Sequence, residues 1–101
     1  MQVILKLTNL DLTMEQKSYV ENKILALAKY YPQIVEARVE IEKLEKHHSG
    51  NTTRCEVNIS IPGKLIRVER TTTDWTKAIN KAKDHLKVIL SRTKEKRTKK
   101  R

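Results

Sequence analysis

Cysteine occurs once in the 101 residues, so the chain has neither an internal disulfide framework nor a cysteine-rich zinc site. Glycine and proline occur twice each, which excludes collagen-like and Pro/Gly-rich low-complexity chains. The two glycines, Gly50 and Gly63, are isolated, so no glycine-rich phosphate loop is present. Phenylalanine is absent, leaving one Trp and three Tyr as the aromatic complement. No apolar run approaches the ~18 residues of a membrane span. The start, Met1-Gln2-Val3-Ile4-Leu5, lacks a basic region ahead of an apolar stretch and a small-residue cleavage site, and so reads as cytoplasmic. At ~100–200 residues per domain the length allows one domain, and an apolar fraction of 38% supplies one modest core.

What the chain has in excess is positive charge. Lys and Arg number 22 against 12 Asp and Glu, a formal net charge of +10, and that makes a polyanion the first partner to consider. The excess is not evenly spread. Residues 1–63 carry eight bases and eight acids, so the whole +10 lies in residues 64–101. The last eight residues, Lys94 to Arg101, hold six bases and one acid, a block that repels itself and buries nothing. The expected organisation is one domain over residues 1–93 followed by a flexible basic tail over 94–101. Lys64, Arg67, Arg70, Lys77, Lys81, Lys83 and Lys87 carry the excess into the folded part, as a docking surface requires.

Periodicity gives the element order. Val3, Leu5 and Leu7 alternate with polar neighbours as in a strand with one buried face. Thr13 opens a helix, with Gln16 placed to close a capping box. Val20, Ile24, Leu27 and Tyr31 form its apolar stripe, and Pro32 stops it by disfavouring helical backbone at Tyr31. Ala37, Val39 and Ile41 mark a second strand, and Cys55, Val57, Ile59 and Ile61 a third. Pro62-Gly63 makes a tight turn, and Ile66 and Val68 mark a fourth strand. Asp74 is the N-cap of a last helix, whose buried stripe is Trp75, Ala78, Ile79, Ala82, Leu86, Ile89 and Leu90. With no Gly or Pro inside, it runs to about Thr93. Replacing Trp75 by Ala in that stripe is expected to cost roughly 3–5 kcal/mol. The order β-α-β-β-β-α, with alternation in every strand, predicts an α+β fold: a four-stranded, mainly antiparallel sheet with two helices on one face, like a double-stranded-RNA-binding domain.

The side chains give catalysis little to work with. Cys55 faces inward, where a free Cys behaves as a small apolar residue. His47-His48 lie in a polar turn and make a poor chelating pair with no third ligand nearby. Glu36, Glu40 and Glu42 share a wet strand face, with no apolar setting to raise their pKa values. The helices offer more. At ~100° per residue, Lys83, Lys87 and Lys94 share one flank of the last helix's stripe, while Lys77, Lys81, His85 and Arg92 take the other flank and outer face. Lys23, Tyr19 and Tyr30 share one flank of the first helix. Helices lying side by side would join such flanks into a basic groove with aromatic edges. No exposed aromatic pair of the RNA-recognition-motif kind is evident, so recognition of RNA shape and backbone is expected.

The element order and the residues at the helix ends resemble the ribosome hibernation-promoting factor family, also called ribosome-associated inhibitors or sigma-54 modulation proteins. The similarity runs through Leu12-Thr13, Tyr19-Val20, Lys23-Ile24, Leu27 and Tyr30, then Asp74-Trp75-Thr76-Lys77-Ala78-Ile79-Asn80, Asp84-His85-Leu86, Leu90, Arg92 and Lys94-Glu95-Lys96. The resemblance implies a factor that binds the small ribosomal subunit between head and body, over the decoding region, and silences idle ribosomes. It implies rRNA-phosphate contacts at Lys17, Lys23, Arg92, Lys94 and Lys96, to which the helical wheel adds Lys83 and Lys87, and His85, set among lysines on a flank of the last helix, is expected to face the RNA as well. His85 stands where the family usually has Lys, Val88-Ile89 replaces an Arg-Gln pair, and Ala26 replaces a common Lys. The chain also stops where long-form members begin a linker and a dimerising domain, so a short form is expected.

The leading expectation is therefore a non-enzymatic, translation-silencing factor, monomeric when free. It needs no cofactor, metal, membrane or small-molecule substrate, and its partners are the rRNA and proteins of the small subunit. The alternative is a stand-alone double-stranded-RNA-binding module. Asp74-Trp75 counts against that reading, because such modules place lysines at the start of the last helix.

Overall fold

In the computed structural model, residues 1–45, 50 and 52–99 are described, the last two by their main chain alone. The elements follow the order β1 (Gln2–Thr8), α1 (Met14–Leu25), a 3-10 turn (Ala26–Lys29), β2 (Glu36–Lys43), β3 (Thr53–Ile61), β4 (Lys64–Thr72) and α2 (Trp75–Lys99). The strands form one sheet in the order β1-β2-β3-β4. β1 pairs with β2 in parallel, the connection passing through α1, and the other two pairings are antiparallel. The fold is α+β, in agreement with the periodicity.

Register explains why one sheet face is apolar throughout. Leu5 pairs with Val39, Val39 with Val57 and Val57 with Val68, so one row of branched side chains crosses all four strands. Val3, Ala37, Ile59 and Ile66 make the next row. Both helices cover this face, and their stripes merge with it into a single core. Val20, Ile24, Leu27 and Tyr31 from the first helical segment are buried, as are Ala78, Ile79, Ala82, Leu86 and Leu90 from α2. The two-residue turn Pro62-Gly63 joins β3 to β4, and Gly63 sits at φ 77°, where a Cβ is disfavoured.

Local chemistry fixes the helix starts. The Gln16 amide donates to Thr13 Oγ1 (3.1 Å) and the Thr13 amide to Gln16 Oε1 (2.8 Å), a complete capping box. At α2 the Lys77 amide donates to Asp74 Oδ1 at 2.8 Å. The ends differ from expectation. The first helix tightens to 3-10 geometry at Ala26, with the Tyr30 amide bonded to the Leu27 carbonyl at 2.9 Å, a common way to close a helix ahead of proline. The last helix passes Thr93 and continues to Lys99, so residues 94–99, expected to begin a basic tail, extend the helix instead. Thr93 is buried and bonds back to the Ile89 carbonyl, while Arg97 donates to Tyr31 Oη and to the Pro62 carbonyl. Those bonds tie the far end of α2 to the body.

Trp75 also departs from expectation. It packs against the core from its rim and is half-buried, as is Ile89, because the first residue of α2 stands where the helix meets the edge of α1. The His47-His48 pair lies outside the described residues.

Candidate nucleic-acid interface

The two helices meet along a seam built by aromatic rings and lysines. Asn80 of α2 donates from Nδ2 to Tyr19 Oη at 3.0 Å. The Tyr19 and Trp75 rings are perpendicular, 86° apart in plane with centroids at 5.8 Å. Lys23 Nζ lies 5.3 Å from the Tyr19 centroid. Further along, Lys87 Nζ and Lys29 Nζ lie 5.4 and 5.2 Å from the Tyr30 centroid, within cation–π range. Lys83 occupies the same flank of α2, between the turns of Asn80 and Lys87. Lys94 follows on that flank, beside a depression shared with Tyr31, Gln33, Pro62 and Arg97.

The seam therefore gathers Lys23, Lys83 and Lys87, with Lys94 at its far end, and adds Lys29, which periodicity does not single out. The usable signal for Lys29 is its position beside Tyr30. Other candidates lie elsewhere. Lys17 is exposed on the opposite flank of α1. Arg70 Nη2 donates to His85 Nδ1 at 3.1 Å, which turns His85 toward the β4 edge, away from α1. Arg92 and Lys96 share that flank by helical geometry. The lysines are thus on two flanks of α2, and only one flank faces α1. The Arg70–His85 bond is not legible in the sequence, because it depends on α2 crossing over β4.

The opposite sheet face has a different electrostatic character. Glu40, Glu56 and Glu69 stand directly opposite one another on β2, β3 and β4, an arrangement of like charges that is unfavourable by itself. Arg54 resolves it. Its guanidinium bonds Glu40, Glu42, Glu56 and Glu69 at 2.8–3.0 Å, and Arg67 adds a 2.9 Å bond to Glu56. Hydrogen bonds from Asn58 and Arg54, against the opposing effect of burial, hold the Glu56 carboxyl down at about 2. The Thr8 hydroxyl, 2.8 Å away, likewise lowers Glu40. Strand alternation alone shows these acids as a solvated face and gives no sign of the hub. On the helix side, Lys17, Lys23, Lys29, Lys83 and Lys87 form no ion pair among the described residues. The acidic side chains of the sheet face are paired with that face's own arginines, whereas these lysines have no acidic partner among the described residues.

A nucleophile is not on offer in the core. Cys55 is fully buried and burial pushes its thiol up to about 12, so it stays protonated. Among the described residues no helix is long and apolar enough to cross a membrane. What the seam can do is bind phosphates along a line of ammonium groups.

Comparison with known proteins gives the family. The profile of the family described as Sigma 54 modulation protein / S30EA ribosomal protein matches residues 3–98. A ribosome hibernation promotion factor from Deinococcus radiodurans is 34% identical over 93 residues, covering 92% of this chain and 49% of the relative. The chain thus spans about half the length of that curated relative. The crystal structure of the N-terminal domain of Protein Y from Thermus thermophilus superposes with a TM-score of 0.71 at 30% identity, over 91% of this chain and 94% of that one. A ribosomal subunit interface protein from Coxiella burnetii gives a TM-score of 0.79 at 16% identity, over 94% and 99% of the two chains, a likeness of fold.

Proposed function

The chain belongs to the Sigma 54 modulation protein / S30EA ribosomal protein family, and from that premise we propose that it is a ribosome hibernation factor. It docks on the small ribosomal subunit in the decoding and mRNA–tRNA channel, through contacts of its helices with the rRNA backbone, and silences translation without turning over a substrate. It acts in the cytoplasm, as a monomer when free. Lys23, Lys83 and Lys87 carry the central contacts. Lys94 extends them along the seam, and Lys17, His85, Arg92 and Lys96 reach rRNA on the outer flanks.

The observation that carries this reading is the segregation of charge. Lys23, Lys83 and Lys87, without acid partners among the described residues, line the α1–α2 seam, while the opposite face carries four glutamates gathered around Arg54. A surface of that kind binds a polyanion through counterion release and depends steeply on salt. The deciding experiment is co-sedimentation with purified small subunits on a sucrose gradient, alongside cell-free translation. The protein is expected to travel with the subunit, to inhibit translation, and to be displaced poorly by free RNA duplex. Equal affinity for a simple duplex would instead identify a double-stranded-RNA-binding module.

A further inference from the structure

We propose that the notch at the N-terminal end of the seam, walled by Tyr19 and Trp75, takes one unpaired nucleobase of the bound RNA. The proposal rests on the ribosome-binding reading above and adds to it a preference for RNA with a base free to leave the stack.

The notch is lined by Glu15, Gln16, Tyr19, Trp75 and Thr76, and nearly all of that lining is apolar. Its two rings are perpendicular at 5.8 Å, so they form a corner. A flat ring laid on one of them meets the other nearly at right angles, an arrangement aromatic groups favour. Trp75 is half-buried although it begins a stripe whose next members, Ala78 and Ile79, are fully enclosed. Part of the indole is therefore presented to solvent. No exposed aromatic pair is evident in the sequence because these two residues lie 56 positions apart and meet only across the helices.

Charge chooses a base over a phosphate. Lys23 stands 5.3 Å from the Tyr19 centroid, and Lys83 and Lys87 continue down the seam, so a strand whose phosphates follow the lysines brings a base to the notch. Glu15 stands at the notch and forms no ion pair among the described residues, which keeps a phosphate out. A base inside a duplex has both faces covered and cannot enter, whereas an unpaired base stacks on aromatic rings with little regard to its identity.

Trp75 is the sole tryptophan, so its emission reports directly on the notch. The full chain is titrated at low salt with a short single-stranded oligoribonucleotide and with a blunt duplex of equal length. Quenching by the single strand and little change with the duplex are expected. Trp75→Leu and Tyr19→Leu should each weaken single-strand binding roughly tenfold, with the slope of log K against log salt unchanged because the lysines remain. Wild-type emission that stays constant to millimolar single strand overturns the proposal, as does undiminished affinity in folded variants. The wild-type titration decides the matter even if a variant fails to fold. Sedimentation separates the two readings: a protein that travels with small subunits but shows no Trp75 response refutes the notch alone, and one that does not travel with subunits refutes the ribosome assignment.

Discussion

The Lys87 ammonium on α2 lies 5.4 Å from the centroid of the Tyr30 ring, just past the 3-10 turn that closes α1. Lys29 approaches the same ring at 5.2 Å. Burial opposes ionisation of the Tyr30 phenol, but the two ammoniums outweigh it and hold its pKa below the ordinary tyrosine value. The ring thus joins the helices at one end of the seam, as Tyr19 joins them to Asn80 at the other.

Removing Lys87 should therefore have a spectroscopic consequence separate from RNA binding. In Lys87→Met the Tyr30 phenol is expected to titrate at higher pH than in the wild type, read as the ultraviolet absorbance of tyrosinate on alkaline titration. An unchanged titration curve would mean that the Lys87–Tyr30 pairing does not persist in solution.

Reversing charge in the seam should abolish subunit binding more effectively than reversing it on the β4 side. Lys23→Glu combined with Lys87→Glu is expected to eliminate co-sedimentation at physiological salt, with the fold intact by circular dichroism. The milder Lys23→Gln/Lys87→Gln pair should lower the magnitude of the salt slope by about 2, one for each phosphate that is no longer neutralised. Lys81→Glu with Arg92→Glu should have the smaller effect. The reverse ranking would move the interface to the flank that holds His85 and Arg70.

Acid should destabilise the protein through the sheet face. Glu56 titrates at about 2 in the folded chain against an ordinary value of 4.5, so its contribution is full above 4.5 and is lost as pH falls toward 2. Glu40 is lowered as well and acts with the same sign. Arg54→Met removes the hub and leaves three facing glutamates without their common partner, at an expected cost of about 2 kcal/mol near neutral pH. Protonation of the glutamates relieves their repulsion, so the gap between variant and wild type should narrow on acidification. Urea denaturation at pH 7 and pH 3 tests both statements.

Trp75→Ala should cost about 2 kcal/mol, short of the ~3–5 kcal/mol of a fully enclosed aromatic. Part of the indole surface is already wet, and the rim can relax where the core cannot. Denaturation followed by far-ultraviolet circular dichroism measures it. A loss at or above the upper range would place the ring inside the core.

The last turns of α2 should depend on Arg97. Arg97→Ala removes the bonds to Tyr31 Oη and the Pro62 carbonyl, and amide protection over residues 94–99 is expected to fall toward that of a fraying helix end. Tyr31→Phe keeps the buried ring and loses one of those bonds, so it should show an intermediate effect. Hydrogen exchange resolved by residue distinguishes the cases.

Much of the fold is legible in the sequence because its signals are local. Alternation over Cys55–Ile61 and the 4-3-4 spacing of Val20, Ile24, Leu27 and Tyr31 report which side of each element is buried. Thr13, Asp74 and Pro62-Gly63 act on backbone within three or four residues. The helix ends are less legible. Propensity and charge alone end α2 near Thr93, whereas the bonds that extend it come from Tyr31 and Pro62, more than 30 residues away.

The candidate interface divides in the same way. The chain's own order of residues determined a +10 charge confined to its second part, and it determined which lysines share a helical flank, since a helix turns ~100° per residue whatever surrounds it. Only the tertiary structure decided which flank meets the other helix. That choice gathered Lys23 and Lys87 against Tyr19 and Tyr30, with Lys83 on the same flank of α2, sent His85 to Arg70, and made a corner of Tyr19 and Trp75. The physical reason is that packing one helix on another and on a twisted sheet depends on the whole apolar surface at once, and no local pattern encodes which distant residues it brings together.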